Sequence, residues 1–567
     1  MDNNEATKIL EENPEIKEEL LAEQGQEAPS RKSQADALVK LAEQAQLFHD
    51  ENKEPYARIP LGNHWELWPV GSRYFRRWLS RTVWDSMEKT PGSEAIRSAL
   101  NIIEGKAVFD GDEHKLHNRV AFHDGAIWYD LSDTEWQAVK ITPTGWKVES
   151  EPPILFKRYS HQAVQVIPVH GGDINDVMRF INVKPEQKLL FIVYLVSCFI
   201  PSIPHPIPVF YGEKGAAKTT TTKLVKKLVD PSNVEAVTFP RDINELVQKL
   251  SHHWFCGFDN ISGLPEWISD CLCRAVTGEG FSKRQLYSDD DDVIYSFKRC
   301  ISLNGINVVA TREDLLDRSV LFELERISTE KRMEELQFWK SFDQARPFIL
   351  GAILDLVAKA LAIYPTVKLD RLHRMADFTK WGYAIAEAID GNGPEFLSLY
   401  GKNVERQNVE AINSNPVAAA IVALINNDGE WEGRPGDLLE ELTEIAYKER
   451  IDTKDKLWPK ASSVLVKRIN QVKSNLADTG IIYSNRDTNR GSLITLCKGV
   501  KNASTAVTLS QMAISQPLSS DGSSDGSDGN VKMPSPSKHS DTRGYDGSDG
   551  SDGNFDTFSR EGITCPF

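Results

Sequence analysis

Residues Gly212-Glu213-Lys214-Gly215-Ala216-Ala217-Lys218-Thr219-Thr220 decide how this chain is read. A strand-like run, Pro208-Val209-Phe210-Tyr211, leads into them, and an amphipathic helical pattern, Lys223-Leu224-Val225-Lys226-Lys227-Leu228-Val229, leads out. Strand, tight loop and helix N-terminus is the order a phosphate-binding loop needs. Its backbone N–H groups point inward, the helix dipole adds positive potential, and a lysine reaches the outer phosphates. The nine residues are therefore expected to hold ATP, with Lys218 on the phosphates and the Thr219 hydroxyl on Mg²⁺. Ala217 stands where glycine usually precedes the lysine. It is expected to be entering the helix already, because a positive φ there would call for glycine. An ordinary glycine-containing turn before a helix is the competing reading.

Composition bounds the rest. At 567 residues the chain has room for several domains, on a prior of ~150 residues each. A hydrophobic fraction of 40% suffices for real cores. The longest apolar candidate, Leu189 to Ile203, is interrupted by Ser197, Pro201 and Ser202, so no membrane span is expected and the run reads as a buried helix. The acidic N-terminus does not look like a signal peptide. The seven cysteines are scattered, and Cys271-Leu-Cys273 has no second pair at zinc-site spacing. Reduced thiols in a cytoplasm are the expectation. The net charge of −16 is uneven: residues 1–30 hold nine acids and two bases, and residues 519–567 nine acids and four bases. The long middle is nearly balanced, so a local basic face for DNA is not excluded.

The expected fold is an α/β phosphate-loop core with a parallel sheet over residues 169–365. An acidic segment (1–44) and an α+β domain (45–168) precede it. A helical region (366–453), a winged-helix-like domain (454–498) and a Ser/Asp/Gly-rich tail (499–567) come after it. In the α+β domain, Val120–Phe122, Ala126–Tyr129 and Ala138–Ile141 alternate as strands, with turns at His123-Asp124-Gly125 and Thr142–Gly145. The two end segments are too poor in apolar residues to offset their ordering entropy.

Two later strands sharpen the reading of the loop. Trp254 to Asn260 is a hydrophobic strand ending in Asp259-Asn260, and an acid at that end of a parallel sheet is where Mg²⁺ is held. A helix-capping aspartate is the bland alternative. Arg299 to Gly305 is a second buried strand, ending at Asn304, which could reach the γ-phosphate or the attacking water. Leu315-Leu316-Asp317-Arg318-Ser319 then enters the strand Val320–Leu324, placing Arg318 to project across a subunit boundary.

This series is similar to the AAA+ core of superfamily-three helicases, and more narrowly resembles the primase–helicase ATPases of phages, plasmids and integrated elements. Asp230-Pro231-Ser232, Phe258–Ser262, Leu272–Gly278 and Arg374–Phe378 carry the likeness further, from about residue 45 to about residue 498. The resemblance implies an ATP-dependent DNA helicase or translocase working as a hexameric ring on single-stranded or forked DNA, with possible replication partners. It assigns Lys218 to the phosphates, Thr219 and Asp259 to Mg²⁺, Asn304 to a sensor role and Arg318 to a finger in the neighbouring site. Asn260 falls where many relatives place a catalytic glutamate. An amide orients water but cannot take its proton, so Glu279 or Asp270 would have to supply the base, or turnover is slow.

Residues 281–299 read as a β-hairpin. In superfamily-three helicases such a hairpin grips single-stranded DNA, and Lys283, Arg284, Lys298 and Arg299 suit phosphate contact. Its tip, Asp289–Asp292, would repel a backbone, so those bases could instead line a subunit interface. Residues 454–498 carry nine bases and three acids. A helix over Ser462–Asn475 and a two-stranded wing offer Lys467, Arg468, Arg486 and Arg490 to duplex DNA, or form a protein-interaction module. No carboxylate pair marks a priming centre in the N-terminal domain, where Asp130 and Asp133 fit a turn. Two further functions share these motifs: an initiator or loader without processive unwinding, and a nucleotide-sensing scaffold that assembles partners.

Overall fold

The computed structural model describes residues 34–284, 292–295, 297–488 and 491–499. The expected tail and most of the expected acidic segment lie outside them. Helix α1 (Gln34–Leu41) precedes an antiparallel sheet of β1 (Gln46–His49), β2 (Pro55–Leu61) and β3 (His64–Pro69), then α2 (Arg73–Met87) and α3 (Ser93–Phe109). Phe75, Leu79 and Val83 of α2 meet Ala99 and Ile103 of α3 and Ile59 of β2 in one small core.

A short parallel pair, β4 (Leu116–His117) and β9 (Leu155–Phe156), brackets a meander of β5 (Val120–His123), β6 (Ala126–Asp130), β7 (Ala138–Thr142) and β8 (Gly145–Glu149). The β5–β6 turn has φ of 47° at Asp124 and 71° at Gly125. Two successive left-handed residues give the strands a turn that matches their own twist. Strand β6 is buried on both faces, which its two-residue period explains. Trp128 joins a local cluster with Ala121 and Phe156, while Ile127 and Tyr129 enter the main core. The expected division at 168/169 therefore runs through packed side chains.

Helix α4 (Lys188–Ser197) is apolar all round and buried from Leu190 to Ser197, as a helix in the centre of a fold should be. The central sheet comes from β10 (Ile207–Tyr211), β11 (Phe255–Ile261), β14 (Cys300–Gly305) and β15 (Ser319–Glu323), in the order β11-β14-β10-β15 and parallel throughout. Val237 adds one parallel bridge beside Phe258. Helices α5 (Lys218–Val229), α6 (Ile243–His252), α7 (Glu266–Thr277) and α8 (Glu313–Leu316) make the crossovers that parallel strands need. A two-stranded ribbon, β12 (Phe281–Arg284) with β13 (Asp292–Tyr295), stands between α7 and β14. The tip between its strands lies outside the described residues.

Helices α9 (Glu335–Ile363), α10 (Ala376–Glu387) and α11 (Gly393–Asn413) complete this unit. The sequence reading passed over α9: with the turn after it, it is long and apolar enough to cross a membrane, but 61% of its most apolar stretch is buried. Ile349, Leu350, Ile353, Leu354 and Val357 explain that composition, because they belong to the main core. One bent pair also passes that test of length and composition: α11 meets α12 (Pro416–Asp428) at 102°.

That bend starts a second core. Strand β16 (Glu430–Gly433), α13 (Pro435–Lys448), α14 (Ser462–Gln471), α15 (Lys473–Asp478), β17 (Ile481–Thr488) and β18 (Gly491–Lys498) come next, with sheet order β16-β18-β17. Ile421, Leu424, Leu442, Leu465, Ile469, Leu476 and Leu496 share one cluster, which spans the expected division at 453/454. The single helix expected over 462–475 is two, because Val472 leaves helical geometry at φ −110°, ψ 10°.

Candidate functional site

Parallel pairing brings three strand ends together. Phe210 stands opposite Asn304 across β10 and β14, and Phe258 opposite Leu303 across β11 and β14. The loop after β10, Asp259 on β11 and Asn304 on β14 consequently share one edge of the sheet. Gly212 turns out of β10 with φ 146°, and a Cβ there would strike the Leu324 carbonyl. Gly215 comes next at φ 84°. Glycine is needed at both.

Ala217 corrects the sequence reading. It is the N-cap of α5 with φ 60° and ψ 31°, a left-handed conformation and not the first helical turn. The geometry of the loop prevails over a local preference of about 1–2 kcal/mol. From there Thr219 and Thr220 sit in the first turn of α5, and Glu213, Lys214 and Ala216 complete the loop. Lys218 Nζ donates to the carbonyls of Gly212 (2.8 Å) and Glu213 (2.9 Å). Partial burial lowers the ammonium's pKa, and Asp259 acts in the opposite direction.

Thr219 Oγ1 donates to Asp259 Oδ1 at 2.9 Å. Asn304 is buried: its Oδ1 accepts from the Asn260 N–H at 2.8 Å and its Nδ2 donates to Thr222 Oγ1 at 3.1 Å. One lone pair and one N–H of that amide remain for another partner. Asn260 itself is exposed, with φ 54°. A Cβ on Gly257 would clash with the Thr222 methyl, so glycine lets α5 lie directly on β11. The two candidate bases are both engaged by arginines: Asp270 by Arg312 at 2.9 Å and Glu279 by Arg274 at 3.9 Å.

Arg318 lies at the far end of its strand. Ile207 pairs with Ser319 and Tyr211 with Glu323, so the arginine stands at the opposite end of β10 and β15 from the loop. Five residues of strand separate them by roughly 16 Å. Its guanidinium donates to the Asp314 carbonyl at 2.8 Å and also to the Asp314 carboxylate, leaving the side chain 15% exposed. Arg374 shares that carboxylate at 2.7 Å and also binds Asp317. Burial pushes the Asp314 carboxyl up, but the hydrogen bond from Arg318 and its other partners hold it below its ordinary range.

The sequence reading missed two features. Arg332, beyond β15, brings its guanidinium within 3.5 Å of where a Gly215 Cβ would sit, and Ile327 N donates to the Gly215 carbonyl at 3.2 Å. The segment after β15 therefore passes over the loop. At the other end of α5, buried Asp230 accepts from Lys226 (2.6 Å), Arg119 (2.9 Å) and the N–H groups of Trp254 and Phe255. Burial opposes its charge, yet Lys226 and Arg119 keep it ionised. One carboxylate thus ties the loop helix, the start of β11 and the meander together. The run Asp230-Pro231-Ser232 was the available signal, whereas its partner Arg119 had none.

Two expected DNA contacts are corrected. Arg299 donates to the carbonyls of Leu250 (2.9 Å), Ser251 (3.1 Å) and Lys298 (2.9 Å), and burial lowers its pKa to about 10. Lys298 Nζ donates to the Ser202 carbonyl at 2.9 Å. Both brace the base of the ribbon, because the chain is already back at the sheet there. Lys283 and Arg284 lie on β12, paired with Val293 and Asp292. In the C-terminal unit Lys467 and Arg486 are exposed, Arg468 donates to Gln471 at 3.1 Å, and Arg490 lies outside the described residues. Asp130 accepts from Arg158 at 2.6 Å, and the Asp133 side chain caps Gln137 N at 2.8 Å. Among the described residues no cluster of His, Cys, Asp or Glu could hold a metal by itself, and the six described cysteines are free.

Comparison with known proteins adds a family likeness. Residues 174–394 match the family of the actinomycete integrative conjugative element replication protein, and residues 417–508 match the AICE RepA C-terminal domain. No curated protein matches the chain. Among solved structures, the apo A form of the NrS-1 C-terminal region is 14% identical, with a TM-score of 0.38 over 82% of this chain and 99% of that one. A second NrS-1 structure, of residues 305–718, is 12% identical at a TM-score of 0.35, over 82% and 98%. JCV helicase with a bound small molecule is 14% identical at a TM-score of 0.19, over 39% and 70%. The two family matches point to the replication proteins of mobile elements.

Proposed function

We propose that this chain is an ATP-hydrolysing motor of the AAA+, superfamily-three-like kind that moves along or separates DNA during replication of a mobile element. The observation that carries the reading is the meeting of the Gly212–Thr220 loop, Asp259 and Asn304 at one sheet edge, with Arg318 at the other. The loop's N–H groups and the start of α5 would bind the phosphates. Lys218 would exchange its two loop carbonyls for phosphate oxygens. Thr219 Oγ1 and Asp259 Oδ1, hard oxygens 2.9 Å apart, suit Mg²⁺. When bound, the ion would offset negative charge developing on the phosphates. Asn304 holds the Asn260 backbone at the strand ends, with hydrogen-bonding capacity left for a water or a phosphate.

Arg318 cannot serve its own loop from across the sheet, so it would act on the site of a neighbouring subunit once Asp314 releases it. That makes hydrolysis depend on assembly, and a ring of six is the expected form. In the C-terminal unit, the order helix, strand, three helices and a two-stranded hairpin supports a winged-helix reading, with Lys467 and Arg486 free to meet DNA.

Asn260 favours a second reading, an initiator or nucleotide-timed scaffold with slow turnover, because it cannot accept a proton. A forked DNA with one labelled strand distinguishes them. Strand release that needs ATP and Mg²⁺ and is lost in Lys218→Ala supports the motor. DNA-stimulated ATP turnover without strand release supports the initiator, and turnover indifferent to DNA supports the scaffold.

A further inference from the structure

Helix α2 lies outside both family-matched stretches, and its outer face has no role in the nucleotide site. Ser72 caps it by accepting from Phe75 N, and Phe75, Trp78, Leu79 and Val83 bury one side. The opposite side carries Arg73, Arg77 and Arg81, with Arg76 at its margin beside Val83, all four exposed in a chain whose net charge is −16. At 3.6 residues per turn, Arg73, Trp84, Arg77 and Arg81 fall within an arc of about 80°. Trp84, 55% exposed, falls within that arc between Arg73 and Arg77. Only Arg81 has an acidic partner among the described residues of the four, Asp85 at 3.4 Å, and that pair is itself open to solvent. Arg73 lies over the Tyr74 ring at 5.2 Å, and Tyr74 stacks on Trp68 at 4.3 Å.

Interleaved guanidinium and aromatic groups suit one partner chemistry. Guanidinium forks bind phosphate oxygens bidentately, and an exposed indole offers a platform to an unstacked base of any sequence. An acidic protein segment would satisfy the arginines but leave the indole without a partner of its kind. We propose that the outer face of α2 binds single-stranded DNA, its phosphates on Arg73, Arg77 and Arg81 and a base on Trp84. This deepens the DNA-motor reading and rests on it. The helix would give the chain a second contact with a strand, separate from the nucleotide site and from the C-terminal unit.

The test is anisotropy of a labelled oligo-dT with the full-length protein, without nucleotide, from 50 to 200 mM salt, for wild type, Arg77→Ala/Arg81→Ala and Trp84→Ala. Removing two phosphate contacts should weaken binding about tenfold or more and flatten the log–log salt slope by about 1.4. Trp84→Ala should weaken it about tenfold with the slope unchanged. An Arg77→Lys/Arg81→Lys variant should keep the slope. Unchanged affinity and slope in the arginine variant would overturn the proposal, as would failure of wild type to bind. If that variant binds oligo-dT normally but crosslinks less to residues 1–30, which hold nine acids and two bases, the face belongs to that segment and the proposal fails. ATP turnover without DNA, read on the same samples, judges the motor separately and should be equal in all of these variants.

Discussion

Thr219 on α5 and Asp259 on β11 are 40 residues apart in sequence, and the threonine hydroxyl donates a 2.9 Å hydrogen bond to the aspartate. The parallel sheet, with the helix lying on β11, brings them together. Asp259→Asn keeps an acceptor for Thr219 and removes the charge that Mg²⁺ would need. ATP turnover should fall about 100-fold or more. Binding of a fluorescent ATP analogue measured in EDTA should stay within about twofold of wild type. Equal loss of both would mean that Asp259 holds the loop together and not the ion.

Ala217 should be improvable. An alanine at positive φ costs about 1–2 kcal/mol, and glycine's extra unfolded-chain entropy costs about 0.5–1. Ala217→Gly should therefore gain about 0.5 kcal/mol in a urea melt, while a β-branched Ala217→Val should lose stability and nucleotide affinity together. A destabilised glycine variant beside a neutral valine variant would contradict the left-handed geometry.

Arg318 and Lys218 should complement each other across chains. Arg318→Ala should reduce turnover about 10³-fold or more with nucleotide binding retained. Mixed with Lys218→Ala protein it should regain part of the activity, since a mixed interface can pair an intact loop with an intact arginine. Absence of any recovery in mixed oligomers of verified composition would place the arginine's action within its own chain.

The histidines packed near Asp230 set an acid limit on stability. Burial is the first cause that pushes His161 and His252 down to about 4 from 6.5, and Lys226 and Lys157 respectively reinforce it. Between those values the unfolded chain takes up protons that the folded chain refuses, so stability falls as pH drops from 6.5 toward 4. Thermal melts across that range should show a shallower decline for His161→Phe, whose buried Nε2 has no partner to lose. An unchanged slope would show that other groups control the acid limb.

The sequence signals of the candidate site are local. A strand, a glycine loop and a lysine adjoin in sequence, and Asp259 and Asn304 each end an apolar run. Ala217 misled because its φ is imposed by the path between Gly215 and α5, which no neighbouring residue encodes. Arg299 misled for a related reason: a basic residue beside a hairpin resembles a phosphate contact until the backbone carbonyls it caps are known. Arg119 and Arg332 were invisible, since each meets its partner only after distant segments fold together. The C-terminal unit was placed too late in the chain because Val417, Ile421 and Leu424 of α12 share its core while standing well before the basic stretch.

Steady-state ATP hydrolysis by the full-length protein, with and without single-stranded DNA, tests the central claim most directly when wild type and Lys218→Ala are compared. The geometry predicts Mg²⁺-dependent turnover that DNA stimulates, and a fall of about 100-fold or more in the variant with its fold intact by circular dichroism. Turnover that survives the loss of Lys218 would contradict it.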